Sequence, residues 1–178
     1  MNAVDRRTLR RFVALAAERL RGDWVLIGGG VLPLLGVEVR VTVDIDVAGP
    51  DDAGMDQTLV LMGIAEELGL PVEAVNQAGA FFLRRIRGWE RHLVELHRGR
   101  RARILRPDAT LFLLLKLDRL TESDLTDCVE MLRLARRGGE RVDRRRVRGA
   151  IGRGLAGDVS VPRRRRLEAL SREVRAPG

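Results

Sequence analysis

Apolar residues recur at Leu9, Phe12, Val13, Ala16 and Leu20, the spacing of an amphipathic helix, so residues 5–21 are predicted helical. Asp5 is placed to cap its start and Gly22 to end it. A short apolar strand follows at 24–27 and runs into Gly28–Gly30. Residues 31–35 then begin a short helix, with Pro33 tolerated in its first turn. The run 41–47 alternates β-branched apolar residues with Asp44 and Asp46 and reads as a buried strand. Residues 55–68 return to helical spacing, and 72–75, 81–87, 91–97 and 102–105 read as short strands joined at Gly79, Gly88-Trp89 and Gly99. From Pro107 the pattern is helical, at 108–120, 123–137, 143–152 and 162–174. These elements predict an α+β fold: a core over 1–106, in which helices flank a small mixed sheet, and a C-terminal helical segment over 107–178 packed on that core.

Side chains alternate along a strand, so Asp44 and Asp46 project from one face of theirs. Two like charges on an apolar strand are costly unless a positive charge lies between them. A divalent cation such as Mg²⁺ meets that need, and it commonly reaches phosphate-bearing substrates through one or two carboxylates. A glycine run at a strand-to-helix turn complements this chemistry, because bare backbone N–H groups at a helix start receive phosphate oxygens.

At 178 residues and 45% hydrophobic, the chain is sized for one ordinary domain or a domain with a helical appendix. Without Tyr, and with only four Phe and two Trp, its core must be mostly aliphatic. No apolar run is long enough to span a bilayer, the N-terminal stretch reads as amphipathic and charged rather than as a signal peptide, and the lone Cys128 excludes an internal disulfide or a cysteine zinc site. A cytoplasmic protein with no membrane partner is expected. Its 33 basic and 25 acidic residues leave a net charge of +8, which favours a polyanionic partner such as a nucleotide or RNA. The competing reading is Arg inflated on solvated surfaces, since 32 of the 33 basic residues are Arg. Lys116 is the one lysine, and it lies in the apolar run 111–117. An ammonium is a compact point charge suited to a phosphate, although a lysine snorkelling from a core edge would fit the same pattern.

Taken together, Gly28, Gly29, Gly36, Arg40, Thr42, Asp44 and Asp46, followed by Pro107, Leu111, Lys116-Leu117 and the run Asp124-Leu125-Thr126-Asp127, resemble the signature of the nucleotidyltransferase-fold (polymerase-β-like) superfamily. The version looks like the abortive-infection toxin nucleotidyltransferases and small bacterial proteins related to them. The resemblance implies the nucleotidyltransferase fold and a metal-dependent enzyme that moves a nucleoside monophosphate from an NTP to a hydroxyl acceptor. It implies Mg²⁺ or Mn²⁺ on Asp44, Asp46 and a third carboxylate, for which Glu95 stands in place of the usual Asp. It further implies nucleotide contacts from Gly28, Gly29, Gly30, Arg40, Thr42, Lys116 and Asp124, with Asp44, Asp46, Lys116 and Asp127 catalytic. The acceptor would be an RNA end, a protein or a small molecule, and an antitoxin would be a partner if the chain is a toxin. The rival readings are a non-catalytic binding module on the same fold and a glycosyltransferase using its Asp-x-Asp on a nucleotide-sugar. His92 and His97 fall on opposite strand faces, and the Arg runs at 144–148 and 163–166 read as solvated helix faces or as grips for RNA phosphates.

Overall fold

Asp5 Oδ1 accepts the Thr8 N–H at 2.7 Å and starts α1 (Arg6–Arg19), whose Leu9, Phe12, Val13, Ala16 and Ala17 are buried. The computed structural model describes residues 4–37 and 44–176 of the chain. It is α+β and divides into two units, one ending at Pro107 and one beginning at Asp108. After α1, the first unit runs through β1 (Gly22–Ile27), a 3-10 turn over Gly28–Gly30, α2 (Val31–Leu34), β2 (Ile45–Ala48) and α3 (Met55–Glu67). It continues through β3 (Val75–Asn76), α4 (Gly79–Arg84), β4 (Leu93–Arg98) and β5 (Ala102–Pro107).

The five strands form one mixed sheet in the order β3-β2-β1-β5-β4. β1 pairs antiparallel with β2 and parallel with β5, and β4 pairs antiparallel with β5. Ile27 lies opposite Asp46, Val25 opposite both Ala48 and Leu105, and Asp23 opposite Arg103. Directly paired residues share a face, so one face carries Asp23, Val25, Ile27, Asp46 and Ala48, and the other carries Trp24, Leu26 and Val47. α1 packs against β4 and β5, while α4 packs against β2.

One expected strand is a helix. Residues 81–87 contain Phe81-Phe82-Leu83, a short apolar run that suits a strand and a helix equally well. In the structure α4 buries Ala80 and Leu83, three apart, and exposes Phe81 and Phe82. The expected strand at 72–75 is mostly a 3-10 turn, Val72–Ala74, leaving β3 only two residues long.

In the second unit, α5 (Ala109–Leu117) packs with α6 (Glu122–Gly138) and α7 (Arg144–Ala156), and α8 (Val161–Arg175) packs with α6 and α7. Asp108 caps α5, Thr121 and Asp124 form a reciprocal capping box on α6, and Gly139 ends α6 with φ +68. Leu120, between α5 and α6, takes a left-handed φ of 37°, and its carbonyl accepts the Arg166 Nε–H at 2.5 Å. Among the described residues no helix is long and apolar enough to cross a membrane.

Candidate active site

β1 delivers the glycine turn, and its antiparallel partner β2 delivers Asp46 to the same end of the sheet. Gly28 has φ +75, and a Cβ built on it would collide with Asp46 Oδ2 and lie 3.3 Å from Asp46 Cγ. Only glycine lets the backbone turn here while the carboxylate rests against it. From the other side Gly79, at the start of α4, comes close enough that a Cβ would strike Ile27 Cδ1 and stand 3.9 Å from Asp46 Cβ. Asp46 is half-buried in this slot, whereas Asp44 is exposed immediately before β2 begins. Gly30 is buried, with Leu9 Cδ2 beside it, so it packs the turn against α1. Arg40 and Thr42 lie outside the described residues.

Glu95 does not join the pair. It sits on β4 opposite Leu105, on the same face as Asp46, but β1 and β5 lie between β4 and β2. Three strand spacings of about 4.8 Å separate the backbones by about 14 Å, too far for two carboxylates to share one ion. Its own carboxylate accepts from Arg98 Nη2 at 2.6 Å. The sequence shows an acid in an apolar strand and carries no trace of which strands intervene.

Glu95 instead lines a cleft of about 560 Å³ on that face, floored by Val25, Ala48 and Leu105 and walled by Leu83, Arg84 and Trp89. Asp23 and Arg103 meet there in a two-pronged ion pair, with Arg103 Nε donating to Asp23 Oδ1 at 2.7 Å. Asp23 and Arg103 were not among the expected site residues. Asp23 stands before an unbroken apolar run, Trp24–Ile27, which has no period to single it out; Arg103 needs the β1–β5 register.

The remaining expected residues gather in the second unit. Lys116 Nζ donates to Asp124 Oδ1 and to Asp127 Oδ2, each at 2.8 Å, and all three side chains are buried. Arg119 reaches Asp124 through Nε at 3.0 Å and Nη2 at 3.1 Å, and the Thr121 N–H and hydroxyl donate to Asp124 Oδ2 at 3.0 and 2.8 Å. Lys116 also lies 5.4 Å from the centre of the Phe112 ring. Two cations thus balance two carboxylates. Burial works against the charged form of Asp124, but the bonds from Arg119, Lys116 and Thr121 outweigh it and hold its carboxyl well below the usual range. Burial pushes the neighbouring Cys128 thiol up to about 12, so it packs as an inert apolar residue. Lys116 therefore does not snorkel: its ammonium is the hub of a buried network, with two of its three N–H donors committed to aspartates.

Among the described residues, no three His, Cys, Asp or Glu side chains converge as a metal centre. Mg²⁺ does not require three, since it is commonly held by one or two carboxylates together with substrate phosphates. Asp46, a hard oxygen donor against a bare-backbone turn, with Asp44 two residues before it, fits that pattern. No family model, curated protein or solved structure matches the chain.

Proposed function

We propose that this chain is a nucleotidyltransferase of the polymerase-β-like fold that binds an NTP at the Gly28–Gly30 turn and moves its monophosphate to a hydroxyl acceptor. The observation that carries the reading is the seat of the Asp46 carboxylate against the backbone of Gly28. It joins a phosphate-accepting turn and a cation-holding acid at one sheet end, the two parts that phosphoryl chemistry requires.

In this reading the N–H groups of the glycine turn receive phosphate oxygens, and Asp44 with Asp46 would hold Mg²⁺ or Mn²⁺. Such an ion, when bound, neutralises charge on the phosphates and on the departing pyrophosphate. The acceptor oxygen bonds to the α-phosphorus as the bond to pyrophosphate breaks, and the hydroxyl proton leaves to solvent. The cleft past Ala48 has the volume of a small-molecule site and lies on the face Asp46 occupies, which supports it as the seat of the acceptor.

A second reading, a nucleotide-binding module without catalysis, is favoured by the distance of Glu95 from the pair. Calorimetry with each NTP and Mg²⁺ tests the site: Asp46→Asn is expected to weaken binding at least tenfold, and equal heats in both proteins would sink both readings. Mass spectrometry of RNA, protein and small-molecule acceptors incubated with NTP or with a nucleotide-sugar then separates them. An added nucleoside monophosphate establishes transfer, an added sugar establishes a glycosyltransferase, and unaltered acceptors beside tight binding leave the module.

A further inference from the structure

The net charge is not spread along the chain. Residues 1–140 hold 21 basic and 21 acidic side chains, while residues 141–178 hold twelve Arg and four acids, so the whole +8 resides in the last two helices and their flanks. A coding preference for Arg enriches Arg everywhere and does not by itself remove the acids from one segment.

The positions of these arginines add to the case. α7 opens with Arg144, Arg145 and Arg146, α8 carries Arg163, Arg164 and Arg165 in its opening turns, and neither first turn holds an acid. The N-terminal turn is the positive end of a helix dipole, so cations there oppose helix stability unless an anion joins them; α7 has one in its N-cap Asp143, whose Oδ1 accepts the Arg146 N–H at 2.9 Å, while the first turn of α8, capped by Ser160, holds none. Ser171 and Arg175 of α8 border the same groove as Arg145 and Arg148 of α7, so the two helices run antiparallel. The groove holds about 380 Å³. Arg145, Arg148 and Arg175 are exposed, and no ion pair forms at them among the described residues.

Two glycines line the groove beside them. Gly149 and Gly152 lie mid-helix, where glycine weakens a helix relative to alanine. Nearby Gly154 has a packing reason, since a Cβ on it would press Leu167 Cδ1 at 3.3 Å. A Cβ at Gly152 would meet nothing within 4 Å, and one at Gly149 only the end of Arg153 at 3.7 Å. Neither is required by the fold. Both bare a strip of helix backbone between three arginines, and Arg145, Arg148, Gly149 and Gly152 fall at the spacing of one helix face.

We infer that the α7–α8 groove is a binding site for the phosphodiester backbone of a single nucleic-acid strand, whose phosphates are taken by Arg145, Arg148 and Arg175 while Gly149 and Gly152 admit the chain against the helix. The inference stands apart from the nucleotidyl-transfer reading, because it uses no residue of the Gly28–Asp46 site.

The test is fluorescence anisotropy of the full chain with labelled single-stranded oligouridine, its DNA counterpart and a duplex, over salt from about 50 to 200 mM. Binding of single strands is expected, with affinity falling linearly on a log–log salt plot; tighter RNA than DNA would identify RNA as the natural strand, and equal affinities the shared backbone. Arg145→Gln/Arg148→Gln/Arg175→Gln is expected to weaken binding at least tenfold and to flatten the salt slope by about 2, at about 0.7 per lost phosphate contact. A matched variant of exposed arginines elsewhere, Arg7→Gln/Arg10→Gln/Arg91→Gln, is expected to bind within threefold of wild type. Gly152→Leu, which fills the groove without changing charge, is expected to weaken binding while its melting temperature does not fall. The inference is overturned if single strands do not bind at low salt, if both arginine triples lose affinity equally, if the duplex binds best, or if only anionic lipid vesicles bind.

Discussion

The Asp46 carboxylate occupies the space that a side chain on Gly28 would need. The residue that turns the chain and the acid that would hold the cation are therefore one steric unit. Gly28→Ala imposes a left-handed conformation costing about 1–2 kcal/mol on an L residue, and it also drives a methyl into Oδ2. Gly69→Ala imposes nearly the same φ, +67, where a Cβ meets nothing within 4 Å. The expected result is a stability loss of about 1–2 kcal/mol for Gly69→Ala with NTP binding intact, and a larger loss with binding abolished for Gly28→Ala. Urea titration and calorimetry on both variants read the two effects; equal losses would deny the Gly28–Asp46 contact its role.

Glu95→Gln should leave Mg²⁺-NTP affinity within twofold of wild type, because two strands separate Glu95 from Asp46. Its ion pair with Arg98 is largely exposed and is worth about 0–1 kcal/mol. A tenfold loss of metal-dependent affinity would restore Glu95 to the ligand set.

Lys116→Met should unfold the helical unit readily. It leaves Asp124 and Asp127 buried without their shared cation, a change that costs about 3–5 kcal/mol in such pairs. Adding Asp124→Asn and Asp127→Asn to Lys116→Met removes the stranded charges and should recover most of the loss. Denaturant midpoints of the single and triple variants check this, and a loss below about 1 kcal/mol for the single variant would contradict the network.

Acid should weaken the same network. The Asp124 carboxyl is held below the ordinary carboxylate value of 3.8, so its contribution is fully present above that value and is lost as pH falls through the lowered folded value. Urea midpoints measured from neutral pH downward should fall below about pH 4, where the unfolded carboxyl takes up a proton. Asp124→Asn should start less stable at neutral pH and show a flatter acid limb. Parallel acid limbs in the two proteins would assign the loss to other groups.

Most elements of the fold were legible in the sequence. The periodicity of Leu9, Phe12, Val13 and Ala16, the cap at Asp5 and the glycine run each act over a few residues, and those local forces hold in any tertiary setting. Phe81-Phe82-Leu83 was illegible for the same reason: a run of three apolar residues has no period, and packing against β2 chose the helix.

Sequence alone determined that two carboxylates and a glycine turn would stand near one another in the chain, and that one lysine would lie in an apolar helix. The tertiary structure decided what each of them meets. The antiparallel β1–β2 register set Asp46 against Gly28, the order of strands set Glu95 three positions away from Asp46, and the packing of α5 on α6 turned Lys116 onto two aspartates. Periodicity reports which face of an element is buried. The partner on that face is set by strand order, register and helix packing, which are non-local and leave no mark on the spacing of residues.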